Sequence, residues 1–128
     1  MVESQFKFSD PKVLSFDIHI NPEFDQNLYD GFQISDTVEQ YKSDEEDNVA
    51  FVILKLSIGD ESNKYPFYIK MSITAKFKNT GNGNFDSLLD VNAPALLLSY
   101  SRPIISFMTA QCGFKPFNIP YMNFTKKK

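Results

Sequence analysis

Ser15, Asp17 and His19 occupy alternate positions of "VLSFDIHI" (13–20), and they are the residue types of a hydrolytic triad. On a strand all three would share one face, but neighbours on a face stand about 7 Å apart. A nucleophile and its base must approach to about 2.6–3.2 Å, so the spacing describes a solvated strand face instead. His19 is the only histidine and Cys112 the only cysteine, which leaves no set of nitrogen and sulfur ligands for zinc. The acids of "SDEEDN" (43–48) are contiguous, unlike the spaced ligands of a calcium loop, and no internal glycine bends them round an ion. "NTGNGN" (79–84) shares only its glycines with a phosphate loop, since no Lys-Ser/Thr follows. Asn123-Phe124-Thr125 fits a glycosylation acceptor, but "MVESQFKFSD" has neither the basic nor the apolar stretch of a secretory leader. The expectation is a protein that is not an enzyme and holds no metal or cofactor.

The bulk properties agree with a binding protein. The 128 residues suit one domain, 1–128, with 42% hydrophobic and 23% charged residues. Thirteen Phe and six Tyr make it rich in aromatics, and a single cysteine excludes an internal disulfide. No apolar run reaches the roughly 20 residues of a membrane span, so a cytoplasmic location is expected. The net charge of −3 hides a gradient. Residues 1–61 hold fourteen acids and four lysines, while residues 62–128 hold two acids and nine bases. The first reading of that gradient is attraction between the halves, within the fold or across a subunit interface. The scattered lysines and lone arginine argue against a nucleic-acid surface.

The pattern is first that of strands. "QFKF" (5–8), "VLSFDIHI" (13–20) and "GFQISDTVEQYK" (31–42) alternate apolar and polar residues, with Leu14, Phe16, Ile18 and Ile20 sharing a face in the second. "VAFVILKLSI" (49–58) reads as the most buried strand. In "YPFYIKMSITAKFK" (65–78) every odd position is apolar, a run long enough to bend or to extend beyond its own protomer. From Phe85 to Gly113 the period turns helical, with Pro94 in the first turn and Gly113 as C-cap. Ser99, Arg102, Ser106 and Thr109 form the one polar stripe of a helix otherwise apolar nearly all round. Such a helix needs cover on two sides. Leu98, Ile105, Met108 and Cys112 are therefore expected to meet a second copy, with Pro103 kinking the helix near Ser99–Arg102. After it, "GFKPFNIPYMNF" (113–124) is an apolar segment whose Pro116 and Pro120 exclude helix and central strand. The expected fold is α+β: a four-stranded antiparallel sheet, a long C-terminal helix on one face, then a Pro-rich ribbon.

"APALLLSYSRPIISFMTAQCGFKPFNIPYMNF" (93–124) resembles the signature region of the SecB family of protein-export chaperones. The matching positions are Leu96–Leu98, Tyr100, Arg102, Ile105, Gly113, Phe114, Pro116, Asn118, Ile119, Pro120, Asn123 and Phe124. "LSFDI", "NPEF" and the long strand that follows are compatible with it. The resemblance implies a homotetramer, a dimer of dimers, acting in protein transport as an ATP-independent holdase for unfolded polypeptides. Clients would pass to the SecA motor. It casts the ribbon as a groove wall, with Phe24 and Phe32 at the crossover and Phe114, Phe117, Ile119, Tyr121 and Phe124 on the ribbon as client-binding residues. Two departures qualify this expectation. Only "TKKK" follows the Asn-Phe close, where family members usually continue into a further helix and tail. Pro103 also interrupts a helix that runs unbroken in the family.

Three readings follow. The first is a general holdase, and the second a SecB-like protein dedicated to one partner such as an antitoxin. The third is an accessory oligomeric interaction protein. None involves nucleic acid or membrane insertion.

Overall fold

Alternation decides the architecture. All seven odd side chains from Tyr65 to Phe77 are buried, while the residues between them are half-buried or exposed. The computed structural model describes residues 6–81 and 83–125. Strands β1 (Phe6–Phe8), β2 (Lys12–Ile20), β3 (Ile34–Lys42), β4 (Val49–Ile58) and β5 (Phe67–Asn79) form one antiparallel sheet. A short helix α1 (Phe85–Ser87) and a π-helical turn (Leu88–Asn92) lead into α2 (Ala93–Gln111), which lies against β4 and β5. The class is α+β as expected, but the sheet has five strands, not four.

The extra strand explains the length of β5. Its thirteen residues all find strand partners within the chain. Instead β2 pairs with Phe67–Thr74 and β1 with Phe77–Asn79, so two short strands lie end to end along one edge of β5. On the other edge β4 pairs over its whole length, and β3 closes the sheet. A bulge between Val13 and Ser15 shifts the register of β2. Val13 therefore joins Phe16, Ile18 and Ile20 on the helix side, opposite Ile73, and Leu14, expected on that face, is left 56% exposed.

The core fills the space between sheet and helix. Val52, Leu54, Leu56, Ile69, Met71 and Ile73 meet Leu89, Leu97, Leu98 and Ile105 there. Pro103 lies inside α2 without ending it. Its ring faces outward, and the carbonyl deprived of a partner belongs to exposed Ser99, where water can serve it. Gly113, at φ +92°, closes the helix: its N–H donates to Ala110 O and that of Phe114 to Thr109 O, the paired bonds of a Schellman motif.

Among the described residues beyond Gly113 no helix or strand forms, and the segment lies packed on the core rather than standing open. Ile119 is fully buried, and Phe114, Phe117, Met122 and Phe124 pack against the core. Thr109, expected on the polar stripe, is buried for the same reason. Its Oγ1 accepts the Phe117 N–H at 2.8 Å and donates back to the carbonyls of Ile105 or Ser106. Replacing Thr109 with Val keeps the shape and removes that acceptor. Urea unfolding of Thr109→Val should show a loss of about 1–3 kcal/mol, with faster hydrogen exchange at the Phe117 amide.

Candidate functional site

The strongest concentration of aromatic side chains lies where the β2–β3 crossover meets the C-terminal segment. Asn21 starts the crossover and fastens it. Its backbone N–H donates to Pro66 O at 2.9 Å, and its side-chain amide donates to Tyr65 O at 2.8 Å and Ser62 O at 3.2 Å. Farther on, the Asp25 N–H donates to Asn63 O. Asp25 also accepts the Asn27 N–H, capping a single 3-10 turn over Gln26–Leu28. The polar crossover thus lies along the β4–β5 turn, with Phe24 and Phe32 half-buried.

Phe32 is the hub. Its ring centroid lies 4.8 Å from Phe67, 5.0 Å from Phe117, 5.5 Å from Tyr65 and 5.7 Å from Tyr29. Phe114 sits on Phe67 at 4.6 Å, and Phe24 meets Tyr29 edge to face at 6.0 Å. Edge-to-face and tilted pairs of this kind add about 0.5–1.5 kcal/mol each beyond the area they bury. The floor beneath is cut close. At Gly59 (φ +70°) an added Cβ would stand 3.1 Å from Phe67 O, 3.2 Å from Tyr65 and 3.3 Å from Phe32. Only glycine combines that backbone conformation with that clearance.

Four residues expected to bind a client, Phe24, Phe32, Phe114 and Phe117, are therefore joined into one cluster. The others stand apart from it. Ile119 is buried, Phe124 packs on the core, and Tyr121 projects into solvent at 80% exposure. Sequence reasoning missed Leu28 and Tyr29, which are exposed at the rim, and Tyr65 and Phe67, which form the base. The crossover's "NLYD" pattern held a signal for the first pair: apolar side chains in a loop too short to bury them. Beside the hub a cleft of about 430 Å³ opens, lined by Leu28, Asp30, Gly31, Phe32, Gln33, Lys64 and Tyr65. Its wall is apolar on one side and bears one carboxylate, one ammonium and one amide, a surface that can grip side chains and bond a backbone.

The remaining candidates lie elsewhere. Ser15, Asp17 and His19 share the outer face of the sheet, opposite Ser72, Lys70 and Tyr68, and His19 stacks on Tyr68 at 4.8 Å. Among the described residues no group of three or more His, Cys, Asp or Glu could hold a metal ion. No described helix is long and apolar enough to cross a membrane. On α2, Leu98 and Ile105 are already covered by the chain's own sheet and leave nothing for a second copy, whereas Met108 and Cys112 are half-buried. The uncovered stripe is Tyr100, Pro103 and Phe107, with Phe107 62% exposed.

An antiparallel sheet covered on one face by a C-terminal helix, with an aromatic cleft where crossover and C-terminal segment meet, defines an α+β protein. The chain belongs to the SecB family: the family model described as "SecB: Preprotein translocase subunit SecB" matches residues 10–126. No curated protein sequence matches the chain. Among solved structures it is similar to the Mycobacterium tuberculosis SecB-like chaperone Rv1957, in complex with a ChAD peptide from the Rv1956 HigA1 antitoxin. That likeness has a TM-score of 0.69 at 8% identity, over 93% of this chain and 88% of the other. A protein of unknown function from Streptococcus agalactiae is also similar, with a TM-score of 0.55 at 14% identity, over 94% and 100% of the two chains. At these identities the likeness is one of fold.

Gly59→Ala tests whether the aromatic floor is as tight as its geometry implies. The left-handed backbone and the crowded Phe67 carbonyl together should lower stability by about 1–3 kcal/mol in denaturant titration.

Proposed function

We propose that the protein is a chaperone that holds non-native polypeptide, without nucleotide, in the cleft between crossover and C-terminal segment. One observation carries the reading: the two sequence-distant aromatic groups fuse around Phe32 and reach solvent at Leu28 and Tyr29 beside a cleft. Rigid aromatics provide apolar area with few rotors to freeze. Each fully buried client side chain contributes roughly 1.5–3 kcal/mol, so a few contacts retain a segment without reading its sequence. Family membership supports a chaperone role.

The second reading is a dedicated partner such as an antitoxin. It is favoured by the small cleft, room for only a few side chains, and by the antitoxin peptide in the similar Mycobacterium tuberculosis complex. Export through SecA is the finer form of the first reading. Homo-oligomerisation through α2 accompanies either, and we assign the seam to Tyr100, Pro103 and Phe107, flanked by Met108 and Cys112.

Dilution of a chemically unfolded test protein into buffer without nucleotide separates the readings. A general holdase suppresses aggregation at near-stoichiometric amounts, and the double variant Leu28→Ser/Tyr29→Ser should lose most of that suppression while remaining folded by circular dichroism, with its unfolding midpoint lowered by loss of the ring contacts of Tyr29. Failure of the native protein to suppress, with one stoichiometric partner in a pulldown from its host, would select the dedicated reading. For the seam, Phe107→Asp should lower the mass seen by light scattering, and an unchanged mass would refute the assignment. Ile105→Asp is the contrasting control: with its side chain in the core, it should unfold the chain rather than dissociate it.

A further inference from the structure

The outer face of the sheet, turned away from α2 and the aromatic cluster, has a character of its own. Six of the nine described lysines lie on it: Lys7, Lys12, Lys55, Lys70, Lys76 and Lys78. Only two acids stand on the described strands of that face, each with a lysine at hand, and Glu61 reaches Tyr68 from the β4–β5 turn at the far end. Glu39 bonds Lys55 at 2.9 Å, and Asp17 stands directly opposite Lys70. Lysines gather at one corner. Lys7 is directly opposite Lys78, Lys76 follows two residues along β5, and Lys12 is diagonal to Lys76 across the β2–β5 pair. Such neighbours stand roughly 5–8 Å apart, and like charges placed directly opposite are unfavourable. Lys12, Lys76 and Lys78 have no ion pair among the described residues.

Beside this corner the same face turns aromatic. Tyr41, Phe51 and Lys76 form one cross-strand row over β3, β4 and β5, and the two rings are 55% and 50% exposed. Tyr41 is held in place, since its hydroxyl donates to Glu39 at 2.9 Å. The Lys55 and Tyr41 hydrogen bonds keep the Glu39 carboxyl below its ordinary range, so it stays charged and spoken for.

We propose that this corner docks an extended acidic polypeptide segment bearing apolar side chains, with its carboxylates on Lys12, Lys76 and Lys78 and its apolar groups on Phe51 and Tyr41. The spacing fits: alternate residues of an extended chain stand about 7 Å apart, as do Lys76 and Lys78. Charge complementarity sets the sign of the partner, because the acids of this chain are gathered in its loops and turns rather than on this face. Polypeptide is favoured over nucleic acid for two reasons. No arginine fork lies on the face, and the aromatic flank runs out at β3, an edge strand whose outward backbone groups an extended polypeptide can pair. The inference is independent of the cleft, which belongs to the other side of the sheet.

Fluorescence anisotropy on the full chain tests it with three probes: a short labelled peptide alternating Glu with Phe and Gly, the same peptide with Lys for Glu, and a single-stranded RNA of similar length. The Glu peptide should bind best, and binding should weaken as salt is raised. Lys76→Glu/Lys78→Glu should weaken it at least about tenfold while leaving aggregation suppression unchanged. Phe51→Ser, which keeps all the lysines, should weaken it several-fold at an unchanged unfolding midpoint. Equal binding of the Lys peptide, tighter binding of the RNA, or indifference to both variants would overturn the proposal.

Discussion

Seven alternate side chains of one central strand must be kept from water, and the rest of the protein is arranged to do so. Strand β5 is bonded on both edges, to β4 on one and to β1 and β2 in tandem on the other. Its inner face is therefore too wide for one helix. The helix α2 lies over β4 and the middle of β5, and the far end at Tyr65 and Phe67 needs another roof. The crossover supplies it with Phe32 and the C-terminal segment with Phe114 and Phe117. The aromatic cluster is thus first a solution to a burial problem. A roof made of loops rather than a helix leaves an edge, and the cleft is that edge.

The prolines take a different meaning in this setting. Pro116 and Pro120 are exposed and alternate with residues that turn inward, Phe117 and Ile119. A segment that lacks two backbone N–H groups forms no ladder, so it must be held by side chains and by isolated bonds. Thr109 provides one such bond to the Phe117 amide, and Ile119 provides the anchor. The segment is pinned at chosen points and leaves Tyr121 outside. That arrangement is firmer than an open groove wall, and under the proposed function the contact surface is the crossover rim instead.

What the sequence made legible were features whose cause is local. The period of two in residues 65–78 reports burial directly, the switch in period at Phe85 marks the helical region, and Gly113 is needed at a left-handed position. The misses share a cause of the opposite kind. The strand count failed although "QFKF" (5–8) alternates: whether so short a strand joins the sheet is decided by its pairing with Phe77–Asn79, some seventy positions away. Leu14 changed places with Val13 because a bulge inserts one residue, and alternation alone cannot locate a bulge. Thr109 is buried by a segment that returns over the helix, and Leu98 and Ile105 are claimed by the sheet before any partner can reach them. Of the candidate site, the aromatic residue types were visible. Asn21, which fastens the crossover with amide bonds to carbonyls about forty residues distant, was not.

The charge gradient yields to the same reasoning. Attraction between an acidic half and a basic half is realised in part: Lys42 pairs with Asp86, and Gln40 donates to Asp90 at 2.6 Å, tying edge strand β3 to the start of the helical region. Both links involve exceptions to the gradient, a lysine and a glutamine of the acidic half against the only two acids of the basic half. The main body of basic charge goes elsewhere. Lys70, Lys76 and Lys78 occupy even positions of β5, and a period of two sends every one of them to the face opposite the core. The acids of the first half sit largely in turns at the ends of strands. Alternation in one strand therefore does two things at once: it builds the inner face that needs an aromatic roof, and it loads the outer face with cations, of which Lys76 and Lys78 have no ion pair among the described residues. A sheet made in this way has two chemically distinct surfaces, one apolar and partly roofed, the other basic with an aromatic flank, and a polypeptide could be engaged on either without obstructing the other.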